Sequence, residues 1–113
     1  LKEGIAFSYY ENGEKMYLTN YKNGKESGIQ RQFHRNGQLR SQSEYKNNVP
    51  HGFQKAWHEN GSLHAENNFL DGEPHGSVKL YDYKGKLIKH GTFENGLLIS
   101  EECYENGIKI KCD

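Results

Sequence analysis

The chain has 113 residues, the length of one small domain, with 33% hydrophobic and 27% charged residues and a formal net charge of zero from 15 basic and 15 acidic groups. No apolar run approaches the roughly 20 residues of a membrane-spanning helix, and zero net charge argues against disorder driven by charge. Leu, Ile, Val and Phe number only 22, too little aliphatic volume for a thick two-layer core, so 8 Tyr, 5 Phe and 13 Gly point to a thin, turn-rich sheet with an aromatic face.

The first predicted strand alternates Ile5, Phe7 and Tyr9 and stops at Asn12-Gly13. Alternation that ends on Asn-Gly is the strongest short-range hairpin signal. From Gly4 the pattern recurs every 24 residues without a gap, at Gly28, Gly52 and Gly76. Five residues on come Tyr9, Phe33, Trp57 and Tyr81, and seventeen on come Tyr21, Tyr45, Phe69 and Phe93. Four repeats are expected over 4–27, 28–51, 52–75 and 76–99, with a degenerate cap at 100–113, all in a single domain 1–113. Each repeat halves, because Asn-Gly-like pairs also stand at Asn23-Gly24, Asn36-Gly37, Asn60-Gly61, Asp71-Gly72, Asn95-Gly96 and Asn106-Gly107. Turns this frequent leave no room for a helical period. The fold class is therefore all-β, an elongated antiparallel meander of hairpins in a single twisted sheet. Nine or ten strands at about 4.8 Å spacing give a ribbon roughly 45 Å long.

Facing decides the turns. Residues paired across a hairpin share a face. Trp57 and Leu63 share one only around an odd loop, Glu59-Asn60-Gly61, with the Gly in the left-handed position of a bulge. The second turn of each repeat, as in Asp71-Gly72-Glu73-Pro74-His75, is expected to be longer. Both aromatic columns are expected on one face, concave as the sheet curls, with Lys, Glu, Gln and Ser on the other.

At the cap, Cys103 and Cys112 leave two states open, a staple across the terminal hairpin or two unpaired thiols. If Glu105-Asn106-Gly107 is the same three-residue loop, Cys103 faces Lys109 and Cys112 faces Ser100, which sets the sulfurs on opposite faces. A disulfide would then require the last residues to leave that register. The chain begins at Leu1, so a processed chain or an excised fragment is expected.

Tyr9-Tyr10-Glu11-Asn12-Gly13, Tyr21-Lys22-Asn23-Gly24-Lys25 and the Pro50-His51-Gly52 and Pro74-His75-Gly76 junctions resemble the MORN repeat, most closely its bacterial variant. Gln30, Gln54 and Val78 stand where the family's Gly-x-Gly has its second Gly. The resemblance implies a bacterial protein, cytoplasmic or of the periplasm and envelope, of antitoxin-like or immunity-like type.

Six histidines raise the question of a metal. His34 and His58 share a column, as do His51 and His75, but same-column residues lie about 9.5 Å apart, whereas a shared metal needs each ring nitrogen at about 2.1 Å. No metal and no cofactor is expected. No serine carries an activating motif and no phosphate loop is present, so no enzyme is expected. Residues 1–56 hold nine basic and five acidic groups, net +4, and residues 57–113 hold six and ten, net −4. That polarity fits a protein partner, plausibly a toxin, through Tyr10, Arg31, His34, Arg35, Trp57, His58 and Tyr83. Nucleic acid is not expected, and a membrane is disfavoured for want of a polybasic run or amphipathic helix. The alternatives are a structural spacer of a larger envelope protein and a weak phospholipid-binding module. The exposed first and last strands also invite edge-strand self-association.

Overall fold

The computed structural model describes all 113 residues. Its strands are β1 (Gly4–Tyr9), β2 (Lys15–Lys22), β3 (Lys25–Glu26), β4 (Gly28–Phe33), β5 (Leu39–Lys46) and β6 (Val49–Trp57). They continue as β7 (Leu63–Leu70), β8 (Glu73–Pro74), β9 (Gly76–Tyr81), β10 (Leu87–Glu94), β11 (Leu97–Glu105) and β12 (Ile108–Ile110). All belong to one antiparallel sheet in which ten strands follow one another in chain order, while β3 and β8 extend the edges of β2 and β7. The extents are 49 × 35 × 16 Å, close to the expected ribbon and as thin as one sheet with its side chains. The meander read from the 24-residue period is the observed fold.

The first turn of each repeat is the expected three-residue loop. His58 N–H donates to Ser62 O at 2.9 Å, Trp57 pairs with Leu63, and Gly61 takes φ 90°. The second turn differs from expectation. Leu70 pairs with Glu73 around Asp71-Gly72 alone, with φ of 50° and 87°. Asn23-Gly24, Asn47-Asn48 and Asn95-Gly96 repeat that geometry. Two positive φ values make a tight type I′ turn, which Asn, Asp and Gly tolerate and which matches the strand twist.

One further feature overturns the expected facing. After each first turn the register slips by one residue, from Trp57↔Leu63 to Ala56↔Ala65. The extra residue is a bulge, and it recurs at Met16, Arg40, His64 and Ile88. Without it Phe69 would lie across from His51 and share the face of Trp57. With it Phe69 lies across from Gly52. Because neighbouring residues on a strand face opposite ways, the slip moves the second column to the other side. The two aromatic ladders therefore lie on opposite faces. The first column (Tyr9, Phe33, Trp57, Tyr81) lies on what we call the outer face. The second column lies on the inner face, and each of its rings stands across from a junction glycine: Tyr21 from Gly4, Tyr45 from Gly28, Phe69 from Gly52, Phe93 from Gly76.

The inner face holds what core there is. Ser43, Ala65, Gly91 and Cys103 are the only buried residues, all at mid-strand in inner-face register. Charge sits mostly outside: Lys55 approaches Glu66 on that face at 3.9 Å, and Tyr81 Oη donates to Glu66 at 2.9 Å. Burial, reinforced by that carboxylate, pushes the Tyr81 phenol above its ordinary value.

At the cap Glu105 pairs with Ile108, so Asn106-Gly107 is a two-residue turn and Cys103 pairs with Ile110 rather than Lys109. Shortening the loop by one residue returns Cys112 to the inner face. Cys103 and Cys112 form a disulfide, with Cα atoms 5.3 Å apart.

Candidate functional site

The three-residue loops stack along one long edge of the ribbon, and side chains bridge each loop to the next. Tyr10 Oη donates to Phe33 O at 2.7 Å. His34 Nε2 meets Trp57 O at 2.9 Å, and His58 Nε2 meets Tyr81 O at 3.2 Å. A carbonyl only accepts, so both histidines present Nε2–H there. An asparagine ladder runs beside them: Asn12, Asn36 and Asn60 donate Nδ2–H to Arg35, Glu59 and Tyr83 carbonyls at 3.1, 3.0 and 2.9 Å. Each Oδ1 also accepts the backbone N–H two residues on, closing its own loop.

In the fourth repeat Asp82 closes the loop alone, accepting Lys84 and Lys86 N–H at 2.9 Å. The Lys86 N–H, chiefly, holds its carboxyl below the usual range. A depressed pKa contributes stability above the unfolded value that is lost as pH falls through the folded one. Asp82→Asn is thus expected to melt below the parent at pH 7. The gap should narrow as pH falls through the depressed folded value and close once Asp82 is protonated in both states; a gap independent of pH would refute the role.

Between the second and third loops the edge opens into a groove of about 510 Å³ lined by His34, Arg40, Trp57, His58, Glu59, His64 and Tyr83, together with Ser41 and Ala56. The His58 and His64 rings stack at 4.3 Å, and Tyr83 tilts against His58 at 5.3 Å. Tyr83 is 58% exposed. One loop earlier, the Arg35 guanidinium lies 4.9 Å over the Tyr10 ring.

The structure thus brings His34, Trp57, His58 and Tyr83 together. Tyr10 and Arg35 sit on the same edge beside them. Arg31 stands apart on the outer face, its Nε donating to Gln42 at 2.9 Å. Arg40 and His64 line the groove although the partner-binding set read from the sequence leaves them out. Both are bulge residues, and their signal was the spacing of 24 shared with Met16 and Ile88. His51 accepts Asp71 N–H, from the following turn, at 3.4 Å.

The repeat built from these bridges is a known one. The MORN repeat variant matches residues 2–23, 26–47, 50–71 and 74–95, most of the chain. This chain belongs to the MORN repeat variant family. Its MORN repeats are laid out as a scaffold whose loops on one edge and turns on the other recur at fixed intervals. No curated protein matches the chain. Among solved structures it is similar to TarM, with TM-score 0.52 and 11% identity over 87% of this chain and 19% of that one. It is equally similar to an S. aureus TarM mutant in complex with Fondaparinux, alpha-GlcNAc-glycerol and UDP, with TM-score 0.52 and 11% identity over 87% and 20% of the two chains. These likenesses concern the fold, and this chain spans about a fifth of those proteins.

Proposed function

We propose that this protein is a non-catalytic repeat scaffold that binds a protein partner along the loop edge, in the manner of an antitoxin or immunity protein covering a toxin. The observation that supports it is the groove, where Trp57 and Tyr83 stand with Arg40, and Arg35 follows on the same edge. Trp, Tyr and Arg are the residues that dominate interface energetics. The histidines and Tyr10 have a second role in this reading, since their hydrogen bonds hold the loops that carry the anchors. The +4 and −4 halves orient the encounter and make the association rate fall with salt.

The roles separate by mutation. Trp57→Ala with Tyr83→Ala is expected to weaken partner binding at least tenfold (about 1.4 kcal/mol or more) with a small change in melting temperature. His58→Ala leaves the Tyr81 carbonyl without its bridge and is expected to lower stability by about 1 kcal/mol. The measurements are thermal melts and calorimetric titration of the protein recovered from the native host, followed by an assay of that protein's own activity. Full affinity in the double variant sinks the loop-edge reading, and an uninhibited partner sinks the antitoxin reading.

A further inference from the structure

The inner face offers something the loop edge does not. The register sets Ser43 across from both Gln30 and Gln54, and Gln54 across from Asn67. With Thr19 these residues form one row across five consecutive long strands, spanning roughly 19 Å at one residue per strand. Every member is uncharged, and every member is a hydroxyl or an amide. Beside the row a groove of about 190 Å³ is walled by Tyr17, Gln32 and Tyr45. Glu26 is the one carboxylate that meets it, at the second-turn edge, and the next charges on this face, Lys89 and Glu101, are 2.9 Å apart and satisfy each other.

Some of this polarity is spent within the protein. The Gln30 amide accepts Asn20 N–H at 2.7 Å and donates to Asn20 O at 3.1 Å, replacing a ladder bond where β2 and β4 diverge. Gln32 donates to Tyr17 Oη at 3.3 Å. The hydroxyls of Thr19 and Ser43 and the amide of Gln54 have no protein partner. Asn67 Oδ1 is buried with no hydrogen bond at all, an acceptor short of a donor.

We infer that this row is a binding track for a neutral, hydroxyl-rich chain, a linear uncharged polysaccharide, laid along the ribbon axis across the strands. Amides and hydroxyls each offer a donor and an acceptor, the pattern a sugar hydroxyl also carries. The Tyr17 and Tyr45 rings supply apolar faces with polar tips for the C–H surfaces of a sugar ring. Arg31 borders the groove between Gln30 and Gln32, but it stands in outer-face register with its Nε bonded to Gln42, so an anionic polymer finds no cation within the row itself. An extended peptide, with a residue every 3.3 Å or so, falls out of step with donors about 4.8 Å apart. The track is separate from the loop edge and does not rest on the proposed protein partner.

Electrophoresis of the full chain through gels containing a neutral glucan, xylan or galactomannan tests it. Migration should be retarded by at least one of them, and Gln54→Ala should weaken the retardation roughly tenfold. Gln54→Glu, nearly the same shape, should abolish it, while Arg35→Ala on the loop edge should leave it unchanged. Circular dichroism and a thermal melt confirm that each variant is folded. Unchanged migration in all three gels overturns the inference. So does retardation that Gln54→Ala and Gln54→Glu leave intact, or retardation by an acidic polysaccharide alone.

Discussion

Gly52→Ala is expected to destabilise the protein by about 2–3 kcal/mol and to lower the melting temperature by roughly 10 °C. Gly52 has φ 98°, well inside the region where a side chain clashes with its own backbone. A Cβ there would also stand 2.8 Å from Glu44 Oε1 and 3.0 Å from its Cδ. The Glu44 carboxylate can swing away, so the backbone strain is the larger share and the contact the smaller. Pairing Glu44→Ala with Gly52→Ala should recover only that smaller share. Gly76, at φ 77° with open space around it, isolates the strain alone, so Gly76→Ala should cost less than Gly52→Ala. Chemical denaturation of the three variants checks the order. A change under 2 °C in Gly52→Ala would show that these glycines mark the period without enforcing it.

The glycine matters because of its backbone. Each junction glycine lies across from an inner-face ring, yet a Cβ on any of the four would meet no ring atom, so the positive φ is what the position demands. Each repeat leans only on its neighbours, so the loss is felt at the two seams around β6 and not along the whole ribbon.

The period of 24, the strands and the three-residue loops were legible because each rests on local chemistry: Asn-Gly pairs, alternation, and the pairing of Trp57 with Leu63. The facing of the aromatic columns was not. It turns on one extra residue after each loop, and Met16, Arg40, His64 and Ile88 have no side-chain character in common that announces a bulge. That residue decides whether Phe69 joins Trp57 or leaves it, and it also carries Arg40 and His64 into the groove. The second turns were misjudged for a related reason. Pro74 and His75 look like loop residues, yet Pro74 pairs with Phe69 at the sheet edge, where a missing N–H costs little. The site was half legible. His34 and His58 share a column in the sequence, but only a hydrogen-bond network shows that they tie successive loops through the Trp57 and Tyr81 carbonyls.

The same one-residue arithmetic governs the cap and leads to a local loss of stability. Asn106-Gly107 is a two-residue turn, so Cys103 and Cys112 point to one face and close a short loop with a sequence separation of 9. Such a closure contributes about 3 kcal/mol by restricting the open chain. Only three residues of β12 pair with β11, too few to hold the edge without it. Replacing both cysteines by serine should therefore raise amide hydrogen exchange in β11 and β12 by roughly 100-fold. Exchange in β4 through β7 should stay as it was, because the repeats communicate only through adjacent seams. Cys112→Ala alone separates the crosslink from the packing, since it keeps the Cys103 side chain, 8% exposed, in its inner-face position. Equal exchange in the parent and both variants would mean that β12 is held by its ladder. A rise that spreads into β4 would mean that the ribbon unfolds as one cooperative unit, against the nearest-neighbour account of its stability.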